Sequence, residues 1–280
     1  MAMISWHLNG LRTHSEDLRI LVSRYSPFIV CLQETHLLNR HTLSFRGYRC
    51  FRFDADDGSR AHGDVALLIH DHLCSQEVAV QSSLQVLCIR VSLSSLSFSV
   101  CNIYIPRGQE ITEENLRNLI SQLPPPFLIL GDFNAHSPLW GSARTCPRGT
   151  LIETAMENLN LFLLNTGLHT HFSTTSGTSS SIDLAICSPS LGPSLDWTVH
   201  SPTSWTVLDD LHGSDHYPCL LHVLEPVPSL IRSPHWIFQR ADWPELQLSL
   251  LLSNGPFEDV NAMTSHFTDA VIATVVVPRS

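Results

Sequence analysis

Several polar residues stand where apolar runs end, a place where burial costs free energy unless the group is paired or binds something. They are Asn9 after Trp6-His7-Leu8, Glu34 in Gln33-Glu34-Thr35, Tyr104 in Ile103-Tyr104-Ile105, Asp132 and Asn134 in Gly131-Asp132-Phe133-Asn134, Asp183 after Ile182, and Asp215 with His216 in Ser214-Asp215-His216. Taken singly, each has a structural reading: Asp132 and Asn134 shape a turn, Glu34 caps a helix, His216 is a satisfied core histidine. Gathered at one rim, they supply carboxylates for a hard cation, amides for phosphate oxygens and a histidine beside an aspartate.

The elements that must carry them are short apolar runs bounded by turn signals. Met3–Trp6, Phe28–Leu32, Val65–Ile69, Val86–Val91, Phe98–Ile105, Phe127–Leu130, Ile182–Ile186 and Cys219–Val223 read as strands, many buried on both faces. Helical patterns cover Glu16–Tyr25, Thr112–Leu123 with Thr112 as N-cap, and Gly149–Leu159. Two sheets with helices outside is the packing these elements favour. The Ser/Thr run from Ser173 to Ser181 reads as a turn-rich loop entering a strand. After about Glu225 the texture turns to Pro-rich and Trp-bearing segments, then a weakly amphipathic stretch from Phe257 to Thr274. The expected division is therefore a domain over 1–224 and a tail over 225–280.

Composition narrows the classes. The chain has 280 residues, 43% hydrophobic and 15% charged, enough for one large core. No stretch approaches a bilayer-spanning apolar run and the start lacks a secretory pattern, so an intracellular protein without a membrane partner is expected. The cysteines lack CxxC spacing and several sit in apolar runs, as buried thiols do. Histidine pairs such as His70 with His72, or His169 with His171, lack Cys or Asp/Glu at zinc spacing, so no zinc site is expected. A formal charge of −10, with arginine supplying all 16 cationic side chains, is not the broadly basic surface of a tight nucleic-acid binder. Acidic groups gathered around a divalent cation would remove that objection, because the cation presents positive charge to a phosphate.

In order along roughly residues 2 to 224, Gln33-Glu34-Thr35, Gly131-Asp132-Phe133-Asn134, Ile182-Asp183 and Ser214-Asp215-His216 together resemble the exonuclease/endonuclease/phosphatase superfamily. Within it the chain resembles the apurinic-endonuclease-like domain of non-LTR (LINE-type) retrotransposons, through the segments 134–141, 164–167, 170–173 and 177–184. Trp236 and Ala241-Asp242-Trp243 are similar to the segment that joins such an endonuclease to a reverse transcriptase. The resemblance implies an α+β fold, a four-layer sandwich of two β-sheets flanked by helices. It also implies Mg²⁺-dependent nicking of a DNA strand, leaving 3′-hydroxyl and 5′-phosphate ends, with Mn²⁺ able to substitute. The parent element would supply a reverse transcriptase and its RNA, and the protein would act in the nucleus.

The same resemblance implies residue roles. Glu34 is the principal metal carboxylate, with Asn9 near the metal and Asp215 assisting. Asp132 orients or deprotonates the attacking water, Asn134 and Tyr104 hold the phosphate, and His216, fixed by Asp183, donates to the pentacovalent phosphate. A carboxylate beside His216 should raise its pKa. Two positions depart from the pattern. His7 replaces an asparagine, and Asp64 stands where a second glycine enters a strand. Two other readings stay open: a phosphatase or phosphodiesterase acting on another substrate with the same fold, and a folded remnant that does not cleave.

Overall fold

The computed structural model describes residues 1–38, 40–54, 63–94, 96–191 and 203–223. The chain divides into two units, Met1–Val227 and Pro228–Ser280; the expected tail over 225–280 and its amphipathic stretch lie outside the described residues. In chain order the elements are β1 (Ala2–His7), α1 (Ser15–Tyr25), β2 (Ile29–Gln33), β3 (Tyr48–Phe53), β4 (Val65–His70), β5 (Cys74–Val78), β6 (Gln85–Ser92) and β7 (Ser97–Tyr104). They continue with α2 (Glu113–Ser121), β8 (Phe127–Asp132), α3 (Pro147–Asn158), β9 (Phe162–Leu163), β10 (His171–Ser173), β11 (Thr178–Ser180), β12 (Asp183–Cys187), β13 (Thr203–Val207) and β14 (Cys219–Val223).

Two six-stranded sheets result, in the orders β13-β14-β1-β2-β4-β3 and β5-β6-β7-β8-β12-β9. Alternate side chains explain the layering. In β1 and β2, Met3, Ile29 and Cys31 enter the core between the sheets, where they join Leu87, Val100, Leu128 and Leu130. Their neighbours Ile4, Trp6, Val30 and Leu32 face the other way and bury Leu18 and Leu21 of α1. The outer face of the second sheet covers α2 and α3 through Ile103, Ile129, Leu116, Leu119, Ile152 and Ala155. Helix, sheet, sheet, helix is thus the four-layer sandwich, and strands buried on both faces read as continuous apolar runs.

Local chemistry fixes the helix starts. Thr112 Oγ1 accepts from the Asn115 amide at 3.2 Å and Asn115 Oδ1 accepts from Thr112 N at 2.8 Å, a reciprocal cap. Pro147 opens α3, where a missing N–H costs nothing. The Ser173–Ser181 run is more ordered than a loop. Its ends pair as the hairpin β10–β11, with Phe172 opposite Ser179.

The two sheets are pinned to each other by side-chain amides. Asn102 of β7 donates through Nδ2 to Leu32 O at 2.9 Å and Ala66 O at 2.8 Å, reaching β2 and β4 across the interface. Gln33 donates back to Asn102 Oδ1 at 2.6 Å. Both residues are fully buried.

Within the second sheet, Gly131 lets β7 and β8 approach. Its φ is +149°, and a Cβ there would lie 1.8 Å from Ile103 O, a backbone atom that cannot swing aside. Gly131→Ala is therefore expected to destabilise the fold by ~3 kcal/mol, the cost of overpacking a tight core. Urea unfolding measures it, and an unchanged midpoint would show that the strand pair relaxes.

Candidate active site

Strand register sets out the first half of the site. Tyr104 pairs with Asp132 across β7 and β8, and Asp132 pairs with Asp183 across β8 and β12, so three of the expected residues form one row at the strand ends. The first sheet supplies the second half: His7 ends β1 opposite Gln33 of β2, and Glu34 follows directly. His216 precedes β14, the other neighbour of β1.

Each of these strands then turns sharply. Asn9, Glu34, His36 and Asn134 have φ between 47° and 53°, a left-handed conformation that side chains other than asparagine adopt rarely. Glu34 carries that strain at the rim, which is where functional sites store it. Asp64, at the entrance of β4, has φ 75°, so a glycine at this position would be free of strain.

His7 lies at the centre of the cluster. Its Nε2 faces Glu34 Oε2 at 3.1 Å, and its Nδ1 faces Asp132 Oδ2 at 3.1 Å, though too far off line for a hydrogen bond. Burial alone would push this imidazole down, but the contacts with Asp132 and Glu34 win and raise it to about 10. The ring is an imidazolium bridging two carboxylates. Burial would raise Glu34, yet His36 at 3.4 Å, His7 and the Tyr104 hydroxyl hold it well below the usual carboxylate range. Burial and the Glu34 carboxylate push the Tyr104 phenol up, so it stays a donor.

The rest of the cluster is ordered by hydrogen bonds. Asp132 accepts from the Asn134 amide N at 2.7 Å and from Asn134 Nδ2 at 2.8 Å. His216 Nδ1 meets Asp183 Oδ2 at 2.8 Å, the pairing expected from the sequence. Ser214 Oγ donates to His7 O at 2.7 Å and accepts from His216 N at 3.1 Å, tying the two segments together. The His216 ring stacks on His7 at 4.0 Å with planes 7° apart.

One expectation is overturned. His216 is not raised by its carboxylate; burial, and then the charge on stacked His7, push it well below its ordinary value. Burial lifts Asp183 to about 6, leaving an anion near neutral pH beside a neutral ring. Asn9 sits exposed at the turn after β1, and Asp215 Oδ1 is buried without a hydrogen-bond partner.

Sequence reading passed over four contributors. Arg107 Nε donates to Asn134 Oδ1 at 3.0 Å and is a cation beside that amide. Arg148 donates to carbonyl oxygens of residues 105, 106, 107, 109, 133 and 134, stapling the loops that follow β7 and β8. His36 touches Glu34. His171 packs edge-on against His216 at 4.7 Å. Arg107 lies just past an apolar strand end, the signal that picked out its neighbours.

The architecture is that of the apurinic endonucleases: it superimposes on the AP endonuclease LMAP from Leishmania major with a TM-score of 0.66 at 15% identity, covering 80% of this chain and 88% of that one. The endonuclease domain of TRAS1, a telomere-specific non-LTR retrotransposon, also gives 0.66, at 21% identity over 80% of this chain and 97% of that one. Residues 98–220 match the family described as endonuclease-reverse transcriptase. The RNA-directed DNA polymerase from mobile element jockey of Drosophila melanogaster is 27% identical over 170 residues, 60% of this chain and 18% of that protein. The probable RNA-directed DNA polymerase from transposon X-element, from the same species, is 25% identical over 226 residues, 79% of this chain and 24% of that one. The chain therefore spans at most about a quarter of these relatives. Its fold is that of these endonuclease domains, and residues 98–220 resemble the endonuclease-reverse transcriptase family, the domain class that the relatives from mobile elements also match.

The buried imidazolium has a consequence for stability. A histidine raised from 6.5 to about 10 in the fold stabilises it fully below about pH 6.5, and that stabilisation is lost as pH rises through about 10. In EDTA, the chain should lose on the order of 3 kcal/mol between pH 7 and pH 10 beyond any loss shown by His7→Asn. Parallel pH profiles from chemical denaturation would refute it.

Proposed function

We propose that the domain nicks one DNA strand by hydrolysing a phosphodiester bond with the help of Mg²⁺, leaving a 3′-hydroxyl and a 5′-phosphate. The carrying observation is the convergence of Glu34, Tyr104, Asp132, Asn134, Asp183 and His216 on one rim, drawn from both sheets. The donor set fits a hard divalent cation. Glu34 is held ionised with its side chain 20% exposed, and Asp215 has a buried oxygen with no hydrogen-bond partner. Glu34, Asn9 and Asp215 would hold the ion, which neutralises phosphate oxygens and stabilises the leaving alkoxide.

The protein's own groups divide the remaining work. Asp132, fixed by the two bonds from Asn134, orients the attacking water and takes its proton. Asn134 Nδ2 and the Tyr104 hydroxyl are donors for the phosphate oxygens, and Arg107 adds a charge beside Asn134. Asp183 fixes the His216 ring. Arriving phosphate, with its negative charge, favours protonation of His216, which then donates to the oxygens as the pentacovalent species forms. In the parent element the nick would prime a reverse transcriptase carrying the element's RNA, in the nucleus. Residues 225–280 would connect the two domains.

Relaxation of supercoiled plasmid by the full chain tests the reading. It should require Mg²⁺ or Mn²⁺, stop in EDTA and yield ends that a polymerase extends; blocked ends or metal-independent nicking would sink it. Asp132→Ala or His216→Ala should slow nicking by about 10²-fold or more, the scale of a lost acid-base or charge-stabilising group, with folding retained.

A second reading, a remnant that does not cleave, draws on His7, whose charge occupies the space between Glu34 and Asp132 and adds to burial in lowering His216. His7→Asn removes that charge and leaves the burial. The variant should nick faster than its parent and reach half-maximal rate at lower Mg²⁺, an advantage that disappears with Glu34→Ala. Equal Mg²⁺ requirements would make His7 a neutral replacement.

A further inference from the structure

His171 lies outside the roles assigned so far, yet its ring, the Asp215 carboxylate and the His216 ring place one ligand atom each within 4.8 Å of the others. Spacing along the chain argued against a metal site at His171, because that residue comes from the β10–β11 hairpin and its partners from the approach to β14. The fold joins them through an isolated bridge between His171 and His216, with Phe172 N donating to Asp215 O at 2.8 Å and Tyr217 N to Thr170 O at 2.8 Å.

What distinguishes this trio is how the rings are held. His216 Nδ1 is committed to Asp183 at 2.8 Å, and His171 Nδ1 to Ser180 Oγ at 3.1 Å. In His216, Nε2 is the nitrogen left over, while His171 Nε2 meets Arg107 Nη2 at a long 3.5 Å and faces Asp215 Oδ2 at 3.8 Å. Imidazoles whose second nitrogen is fixed by a carboxylate or hydroxyl are the usual form of metal-binding histidines. Both rings are buried while Asp215 is 40% exposed at its side chain, so the trio has rigid walls and a solvent side for entry and for water ligands. The other close cluster, His7 with Asp183 and His216, lacks this freedom, since both nitrogens of His7 already face carboxylates. Arg107 is a competing charge: a bound ion would displace its Nη2 from His171 Nε2, while its Nε hydrogen bond to Asn134 can remain.

The geometry points to a second cation site, formed by His171, Asp215 and His216, that takes Zn²⁺ in preference to Mg²⁺. Two imidazoles and one carboxylate are a donor set for borderline transition ions, whereas Mg²⁺ prefers oxygen throughout. Ser180 and Asp183 are its positioning residues. Building on the nuclease reading, Zn²⁺ there ties up His216 Nε2 and Asp215 and stops nicking that Mg²⁺ supports.

Binding is measured without DNA, by titrating the metal-stripped full chain with Zn²⁺ against a chromophoric chelator. One tight site is expected, insensitive to millimolar Mg²⁺. His171→Gln should weaken it at least tenfold with the melting temperature held, and Ser180→Ala, which frees only Nδ1, by about tenfold. A double change of the surface pair, His70→Ala with His72→Ala, should leave it in place. Absence of a tight site, or affinities within threefold of the parent in both His171→Gln and Ser180→Ala, overturns the proposal. Should Mg²⁺ support no nicking, the chelator titration still decides, so the nuclease reading and the zinc site fail separately.

Discussion

The buried amide of Asn102 is the contact on which the site depends most. The site is split between sheets that do not share a ladder: Glu34, His7 and His216 belong to one, Tyr104, Asp132 and Asp183 to the other. Apolar packing between sheets is non-directional and tolerates sliding. Hydrogen bonds from Asn102 to two carbonyls of the facing sheet, answered by Gln33, are directional and lie one residue below Glu34. A buried donor without those acceptors would be costly, so the sheets have one favoured alignment. Register within each sheet then does the rest.

Electrostatics explains why so many acids coexist there. Ionised carboxylates crowded in a half-dry rim repel one another unless positive charge lies between them. Here the protein supplies it from within through His7, with Arg107 at the edge. The chain as a whole is acidic, so attraction to a polyanion has to be local, delivered by arginines at the rim and by whatever cation the carboxylates hold. An imidazolium can balance charge at rest but brings no vacant coordination position, which is where it differs from a metal ion.

Much of the fold was legible because the central strands are apolar on both faces and end abruptly in polar residues. The pairing of Tyr104 with Asp132 and of Asp132 with Asp183 came from the register of the strands, which the apolar runs alone did not show. Edge strands were not legible. Tyr48–Phe53 and Cys74–Val78 mix arginine, serine, glutamine and glutamate with their apolar residues, and β11 is made of serine and threonine. Contacts between distant segments were equally hidden. Nothing about Thr170-His171 announces that it meets Ser214-Asp215-His216, and nothing about Arg148 in a helix start announces six carbonyl oxygens in two loops. The charge on His216 was misjudged for a related reason: its carboxylate partner is adjacent in motif lore, whereas the burial and the stacked cation that outweigh it come from elsewhere in the fold.

The placement of β1 between β2 and β14 also has a meaning in time. A ribosome releases β1 first and β14 some 200 residues later, at several residues per second. Until then the first strand has one open side, and the backbone partner that closes it, Val223 on Met1, does not exist. His216 emerges just before that closing strand and comes to rest on His7 from the opposite end of the described chain. A nascent or prematurely ended polypeptide thus holds carboxylates, tyrosine and asparagine but not the complete cluster. For the proposed nuclease, sheet topology would act as an interlock on synthesis: the site is complete only with the last of the described strands.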